Sequence, residues 1–115
     1  MAYQESAEIA DLLCRAGQGD PEAPGELFDQ NRDRLRRMVE QRMDGRLRGR
    51  LDPSDVLQEA YLEFSRSLSL YLRRPWIPFY FWLRLIAGRK LQALHRAHLG
   101  ALARTALRET RIEHA

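Results

Sequence analysis

The chain has 115 residues, of which 44% are hydrophobic and 30% are charged, and its formal net charge is +3. This length suits one small domain with a single core, and the apolar content excludes a disordered chain. No apolar run approaches the roughly 20 residues of a membrane span, and the first residues lack the basic start and apolar centre of a signal peptide. We therefore expect a cytoplasmic protein that does not associate with membranes.

The charges are arranged in alternating blocks along the chain. Residues 1–30 carry one basic and seven acidic side chains. Residues 31–51 carry eight basic and three acidic side chains, and residues 52–70 carry one basic and four acidic side chains. Residues 71–99 carry six Arg or Lys, several aromatic side chains and no acid. Positive charge beside aromatic rings suits the binding of exposed nucleic-acid bases, so the blocks predict different partners for different faces.

The apolar residues recur at a spacing near 3.6, and Gly and Pro stand mostly at the joints between apolar segments. We therefore predict an all-α fold, a compact bundle of about four helices. The first helix is predicted over residues 5–16, ending at Gly17. Cys14 lies in its apolar run and is the single cysteine of the chain, so we predict a small core residue without a redox role.

The second helix is predicted from Pro21 or Pro24 to Met43, with charged residues outward. Its predicted core residues are Leu27, Phe28, Leu35, Met38, Val39 and Met43. A basic linker with two glycines follows over residues 45–51. Its arginines are as consistent with solvent exposure as with phosphate contact.

The third helix has the clearest start signal in the chain. Asp52 suits the N-cap, Pro53 the first helical position, and Asp55 the acidic position of a capping box. The helix is predicted to run to about residue 70. Its predicted core residues are Val56, Leu57, Ala60, Tyr61, Phe64 and Leu68.

The opposite face of this helix combines one leucine with acidic and amide side chains. Its residues are Asp55, Gln58, Glu59 and Leu62. An apolar contact with a charged surround suits a protein interface that selects a basic partner. The pattern alone slightly favours the alternative, an ordinary solvated face with one exposed leucine.

A loop with two prolines is predicted over residues 71–78. It supplies Arg73 and Arg74 as candidate phosphate contacts. Trp76 is equally consistent with stacking on an unpaired base and with an apolar plug at the end of the bundle.

The fourth helix is predicted over residues 78–99, before Gly100. Its predicted core residues are Phe79, Trp82, Leu83, Ile86, Ala87 and Leu94. Arg84, Arg89 and Arg96 lie on the opposite arc and are candidate phosphate contacts; Lys90 lies nearer the core and carries less weight. Because glycine costs about 1 kcal/mol inside a helix, Gly88 suggests that a phosphate approaches the backbone there.

Residues 1–99 are therefore predicted to form the domain, and residues 100–115 a helical tail or a linker. His95 and His98 lack further ligands nearby in sequence, and no phosphate-binding loop or nucleophile motif is present. We expect no metal, no other cofactor and no enzymatic activity.

The order of these motifs resembles region two of bacterial sigma factors and is closest to the extracytoplasmic-function group. The motifs are an acid-capped helix, DPSDVLQEAYLEF at residues 52–64, and a basic helix that opens with FYFWLRLIA at residues 79–87. The resemblance covers roughly residues 8–99. It departs from the family at Gly88 and Arg89, where Arg-Asn is common, so base-specific contacts are not transferred to these two positions.

The resemblance implies an RNA polymerase sigma factor domain without catalysis of its own. Asp55, Gln58, Glu59 and Leu62 would dock on the clamp helices of the polymerase β′ subunit. The loop and the fourth helix would recognise and melt the minus-ten promoter element, with a single-stranded non-template base flipped into a pocket near residues 71–78. The arginines of the fourth helix would hold phosphates of the opening duplex.

An anti-sigma protein is a further partner that the resemblance implies. The alternative function is therefore a sigma-like interaction module that binds such a regulator and not DNA. The family's second domain, a helix-turn-helix that reads the upstream promoter element, is not contained in these residues. We expect the chain to be either an excised part of a longer sigma factor or a natural fragment.

Overall fold

The computed structural model describes residues 5–113, and four α-helices account for most of this range. They are α1 (Ala7–Gly17), α2 (Ala23–Arg42), α3 (Pro53–Arg73) and α4 (Phe79–Glu113). No strand occurs in the described part of the chain, so the predicted all-α bundle is confirmed. The helix α3 packs against both α2 and α4, which also contact each other, and α1 packs mainly on α2.

The centre of the bundle is a cluster of aromatic rings contributed by three helices. Phe64 on α3 is fully buried, and its ring centroid lies 5.7 Å from that of Phe28 on α2. The centroids of Phe79 and Trp82 on α4 each lie 6.0 Å from that of Phe64. These four side chains were predicted to be buried, and the structure confirms the prediction.

Three predicted core residues lie nearer the surface than expected, and one of them, Leu94, is half-buried against the core. Cys14 is exposed, and its sulfur accepts a long hydrogen bond from Gln18. The prediction was wrong because Leu12, two residues earlier, faces the core, and two residues turn a helix by about 200°. Tyr61 is 37% exposed, although its ring packs edge-on against Phe28 at 5.1 Å.

The predicted loop over residues 71–78 is shorter in the structure, because α3 continues through Tyr71 and ends at Arg73. Its ring is buried and stacks on Trp82, with centroids 4.4 Å apart and planes 9° from parallel. Its hydroxyl donates a hydrogen bond to the backbone carbonyl of Ile77. Tyr71 therefore fastens the loop to the bundle.

The predicted end of the fourth helix at residue 99 was wrong. The helix α4 continues through Gly100 as one element. A single glycine costs only about 1 kcal/mol, and the flanking Ala, Leu and Arg residues are strong helix formers. The last two residues of the predicted tail, 114 and 115, lie outside the described residues.

The predicted capping box at the start of α3 is confirmed. An Asp52 carboxylate oxygen accepts from the Ser54 N–H at 2.8 Å, and the Asp55 carboxylate accepts from the Asp52 N–H at 3.2 Å. The preceding basic linker is partly ordered as a 3₁₀ turn, Gly45–Leu47. Leu47 and Leu51 are buried, so the linker is anchored to the core.

Asp44 holds this linker against α4. Its carboxylate accepts from the backbone N–H of Arg46 at 2.9 Å and from the Arg46 guanidinium at 2.8 Å. Its own N–H donates to Nε2 of His95 at 3.2 Å. The hydrogen bonds from the Arg46 side chain and backbone lower the pKa of Asp44 from its ordinary 3.8 to about 2.

We expect Asp44→Asn to destabilise the domain in a pH-dependent way. Because the folded pKa is lowered, the charged carboxylate stabilises the fold fully above about pH 4, and this contribution is lost as the pH falls to about 2. The urea midpoint of the variant should lie below that of the parent at neutral pH, and the gap should shrink over this range. Asp33→Asn, on the exposed face of α2, is the control. A difference in urea midpoint that stays constant with pH would show that the charged Asp44 carboxylate does not stabilise the fold.

Candidate functional site

A positively charged groove of about 480 Å³ lies between the end of α2 and the exposed face of α4. We call it the arginine groove, and its lining residues are Arg42, Phe81, Arg84, Leu85, Gly88, Arg89 and Gln92. Phe81 is 39% and Leu85 45% exposed. Three arginines and a partly exposed phenyl ring therefore line the same groove, and no acidic residue lines it.

Arg42 reaches the groove from α2 and crosses over Gly88 of α4. A Cβ atom built on Gly88 would lie 3.9 Å from Nη1 of Arg42. This is an ordinary contact distance, so the available space does not require glycine at this position. The group next to Gly88 in the structure is thus the Arg42 side chain, where the sequence suggested a phosphate.

The four basic residues predicted on the fourth helix fall into three environments. Arg84 and Arg89 both line the arginine groove. Arg96 is exposed two turns farther along α4. Lys90 is half-buried and, with Arg89, lines a small cleft between α4 and Glu63 of α3.

Trp76 lines a second groove, of about 440 Å³, which we call the tryptophan groove. Its other lining residues are Glu5, Leu13, Tyr71, Pro75, Ile77 and Pro78. Trp76 is 65% exposed, so it does not plug the end of the bundle. Arg73 and Arg74 are exposed beside it at the end of α3. The two grooves share no lining residue, so the predicted DNA contacts form two separate groups.

The predicted polymerase-binding residues lie together on α3, on what we call the acidic α3 face: Asp55, Gln58, Glu59 and Leu62. All four are exposed, and Leu62 is 48% exposed. The capping-box hydrogen bond orients the Asp55 carboxylate. This face therefore offers one apolar side chain among exposed polar groups, of which the Asp55 carboxylate is held by a hydrogen bond.

Arg42 was not among the residues predicted for the site. By helical angle, Arg34 and Arg42 fall within the arc of α2 that carries its buried residues. Both reach across to α4: the Arg34 guanidinium lies 3.7 Å from the ring centroid of Tyr80. The position of these two arginines within the buried arc of α2 could therefore have predicted their contacts with α4.

Comparisons with known proteins bear on the first three helices. The family model described as ECF sigma factor matches residues 6–70, more than half of the chain. The match includes the acidic α3 face and ends before α4. Neither the comparison with curated proteins nor that with solved structures gives a match.

Among the described residues, no helix has the length and apolar character needed to cross a bilayer. The assignment follows from the family match, which covers all of α1 and α2 and most of α3. The chain belongs to the ECF sigma factor family, whose members are transcription initiation factors.

Proposed function

We propose that this chain is the sigma factor domain that binds core RNA polymerase and recognises and melts the minus-ten promoter element. The observation that carries the proposal is the arginine groove. Three arginines from two helices line one groove together with a partly exposed phenyl ring, and no acidic residue lines it to repel phosphate. Single-stranded DNA is bound by this combination of positive charge and aromatic surface.

In the arginine groove, the backbone of the non-template strand lies along Arg42, Arg84 and Arg89. Phe81 offers a surface on which a base stacks, a contact worth about 1 to 3 kcal/mol. Arg96 extends the phosphate contacts along α4. Lys90 lies outside the groove, in the cleft beside Glu63, and adds positive charge to the same helix.

The tryptophan groove is the proposed position of the flipped base. Trp76 is largely exposed and can stack on a base, while Arg73 and Arg74 lie next to it for the flanking phosphates. Extraction of a base costs a few kcal/mol, which stacking and positive charge offset.

The acidic α3 face is the proposed contact with the basic clamp helices of the polymerase β′ subunit. Leu62 supplies the apolar centre, and Asp55, Gln58 and Glu59 supply complementary charge and hydrogen bonds. An anti-sigma protein that covers this face or the arginine groove would prevent initiation.

The DNA-binding surface is tested with a single-stranded oligonucleotide that resembles a minus-ten element. We expect Arg42→Ala/Arg89→Ala to weaken binding and to reduce the slope of log K against log salt by about 0.7 for each lost phosphate contact. Phe81→Ala should weaken binding without changing this slope. Fluorescence anisotropy over a range of salt concentrations measures both quantities.

Arg32→Ala/Arg36→Ala is the matched control, because it removes two charges from the exposed face of α2 outside both grooves. If the control weakened binding as much as the groove variant, the groove would not be the site. If the parent bound no oligonucleotide at any salt concentration, the alternative of a regulator-bound module would be favoured.

A further inference from the structure

The tryptophan groove contains a carboxylate. Of the described residues that line this groove, Glu5 alone carries a charge, and the other walls are apolar or aromatic. Glu5 is half-buried and lies just before α1. Apolar walls with one fixed polar group are typical of a site that binds a flat ligand by its faces and selects it by its hydrogen bonds.

A hydrogen bond orients the Glu5 carboxylate. Its Oε1 accepts from the backbone N–H of Phe79, the first residue of α4. Among the described residues, no ion pair involves Glu5, and no hydrogen bond involves its second oxygen, Oε2. The contact with α4 therefore fixes the side chain and leaves one carboxylate oxygen available to a ligand in the groove.

A carboxylate only accepts hydrogen bonds, so it selects the parts of DNA that donate them. The phosphates of a DNA strand are negatively charged acceptors, and the deoxyribose within a strand has no hydroxyl group. The donors lie on the edges of the bases. Adenine, cytosine and guanine each carry an exocyclic amino group, whereas thymine has none, and its single ring N–H is flanked by two carbonyl oxygens that a carboxylate repels.

We propose that Glu5 is a specificity-determining residue, whose carboxylate accepts a hydrogen bond from the exocyclic amino group of the base that stacks on Trp76. The groove then binds adenine, cytosine or guanine in preference to thymine. The inference rests on the proposed function, because it requires the flipped base to occupy the tryptophan groove. Bases taken out of the stack are read in this way, by stacking on their faces and hydrogen bonds to their edges.

The test first locates the base that enters the groove. In a single-stranded minus-ten-like oligonucleotide, each base is replaced in turn by an abasic site, and fluorescence anisotropy measures binding to the parent and to Trp76→Ala. The base in the groove is the one whose removal weakens binding to the parent but not to Trp76→Ala. If no position behaves in this way, the groove holds no base, and the inference is wrong.

At that position, the test compares bases that differ by one amino group. Purine replaces adenine, hypoxanthine replaces guanine, and pyrimidin-2-one replaces cytosine, and each replacement keeps a ring that can stack. We expect the parent to bind its preferred amino-bearing base about fivefold more tightly, or better, than the matched base without the amino group and than thymine. Equal affinities within every pair would overturn the inference.

The variant Glu5→Gln tests the carboxylate itself. To keep the hydrogen bond from Phe79, the glutamine must use its carbonyl oxygen, so its NH₂ group takes the place of Oε2 and donates where the carboxylate accepted. We expect the preference for the amino group to be lost, and thymine to bind better relative to the other bases. Glu8→Gln makes the same change of charge on the exposed face of α1, outside the groove, and should keep the preference.

The outcomes distinguish this inference from the proposed function. Each preference is a ratio of affinities measured on one protein, so a general loss of stability in Glu5→Gln does not imitate the expected result. A preference that persists in Glu5→Gln, or that is lost equally in Glu8→Gln, overturns the inference, while binding that depends on Trp76 still supports the proposed function. Absence of binding to every oligonucleotide would overturn both.

Discussion

Replacement of Phe64 by alanine is expected to destabilise the domain by about 3 to 5 kcal/mol. The Phe64 ring is fully buried and lies within 6.1 Å, centroid to centroid, of the rings of Phe28, Tyr61, Phe79 and Trp82. The variant loses the transfer free energy of the ring and leaves a cavity where three helices meet. Because small domains are stable by only about 5 to 15 kcal/mol, much of the total stability is at risk.

Urea denaturation followed by circular dichroism measures this loss, with Phe81→Ala as the matched control. Phe81 is 39% exposed on α4, so the same change should lower stability much less while it weakens DNA binding. A Phe64→Ala variant as stable as Phe81→Ala would contradict the aromatic cluster as the centre of the fold.

The double variant Gln58→Ala/Glu59→Arg is expected to weaken binding to core polymerase by about 2 to 4 kcal/mol. Both positions are exposed on the acidic α3 face, so the substitutions should leave the fold intact. The arginine would face the basic clamp helices and replace attraction by repulsion. Loss of the Gln58 amide removes a hydrogen-bonding group beside Leu62.

Pull-down with core polymerase and with isolated β′ clamp helices measures the effect. Asp33→Arg reverses a charge on the exposed face of α2 and is the control, which should bind like the parent. Undiminished binding by the double variant would exclude the acidic α3 face as the polymerase contact. A loss with intact polymerase but not with the isolated helices would assign the face to another part of the enzyme.

The acidic α3 face and the arginine groove have opposite charge, because they come from different charge blocks of the sequence. The acidic α3 face comes from the acidic block at residues 52–70, and the arginine groove comes mainly from the acid-free block at residues 71–99. If both proposed contacts form, the basic protein and the acidic nucleic acid would not compete for one site.

Features that depend on neighbouring residues were predictable from the sequence. The capping box at Asp52 and Asp55 and the buried positions of Phe64 and Trp82 follow from local hydrogen bonding and helical periodicity. The exposed faces of α3 and α4 follow from the same periodicity. The predicted end of the fourth helix at residue 99 was wrong, because one glycine does not overcome the helix propensity of its neighbours.

The sequence by itself thus determined which side chains share a helix face, since 3.6 residues per turn is a local property of the backbone. Only the tertiary structure decided which faces meet. It brought Arg42 over Gly88, stacked Tyr71 on Trp82, and separated Trp76 from the arginine groove. These contacts depend on how the helices cross, which is decided by core packing among residues far apart in the chain.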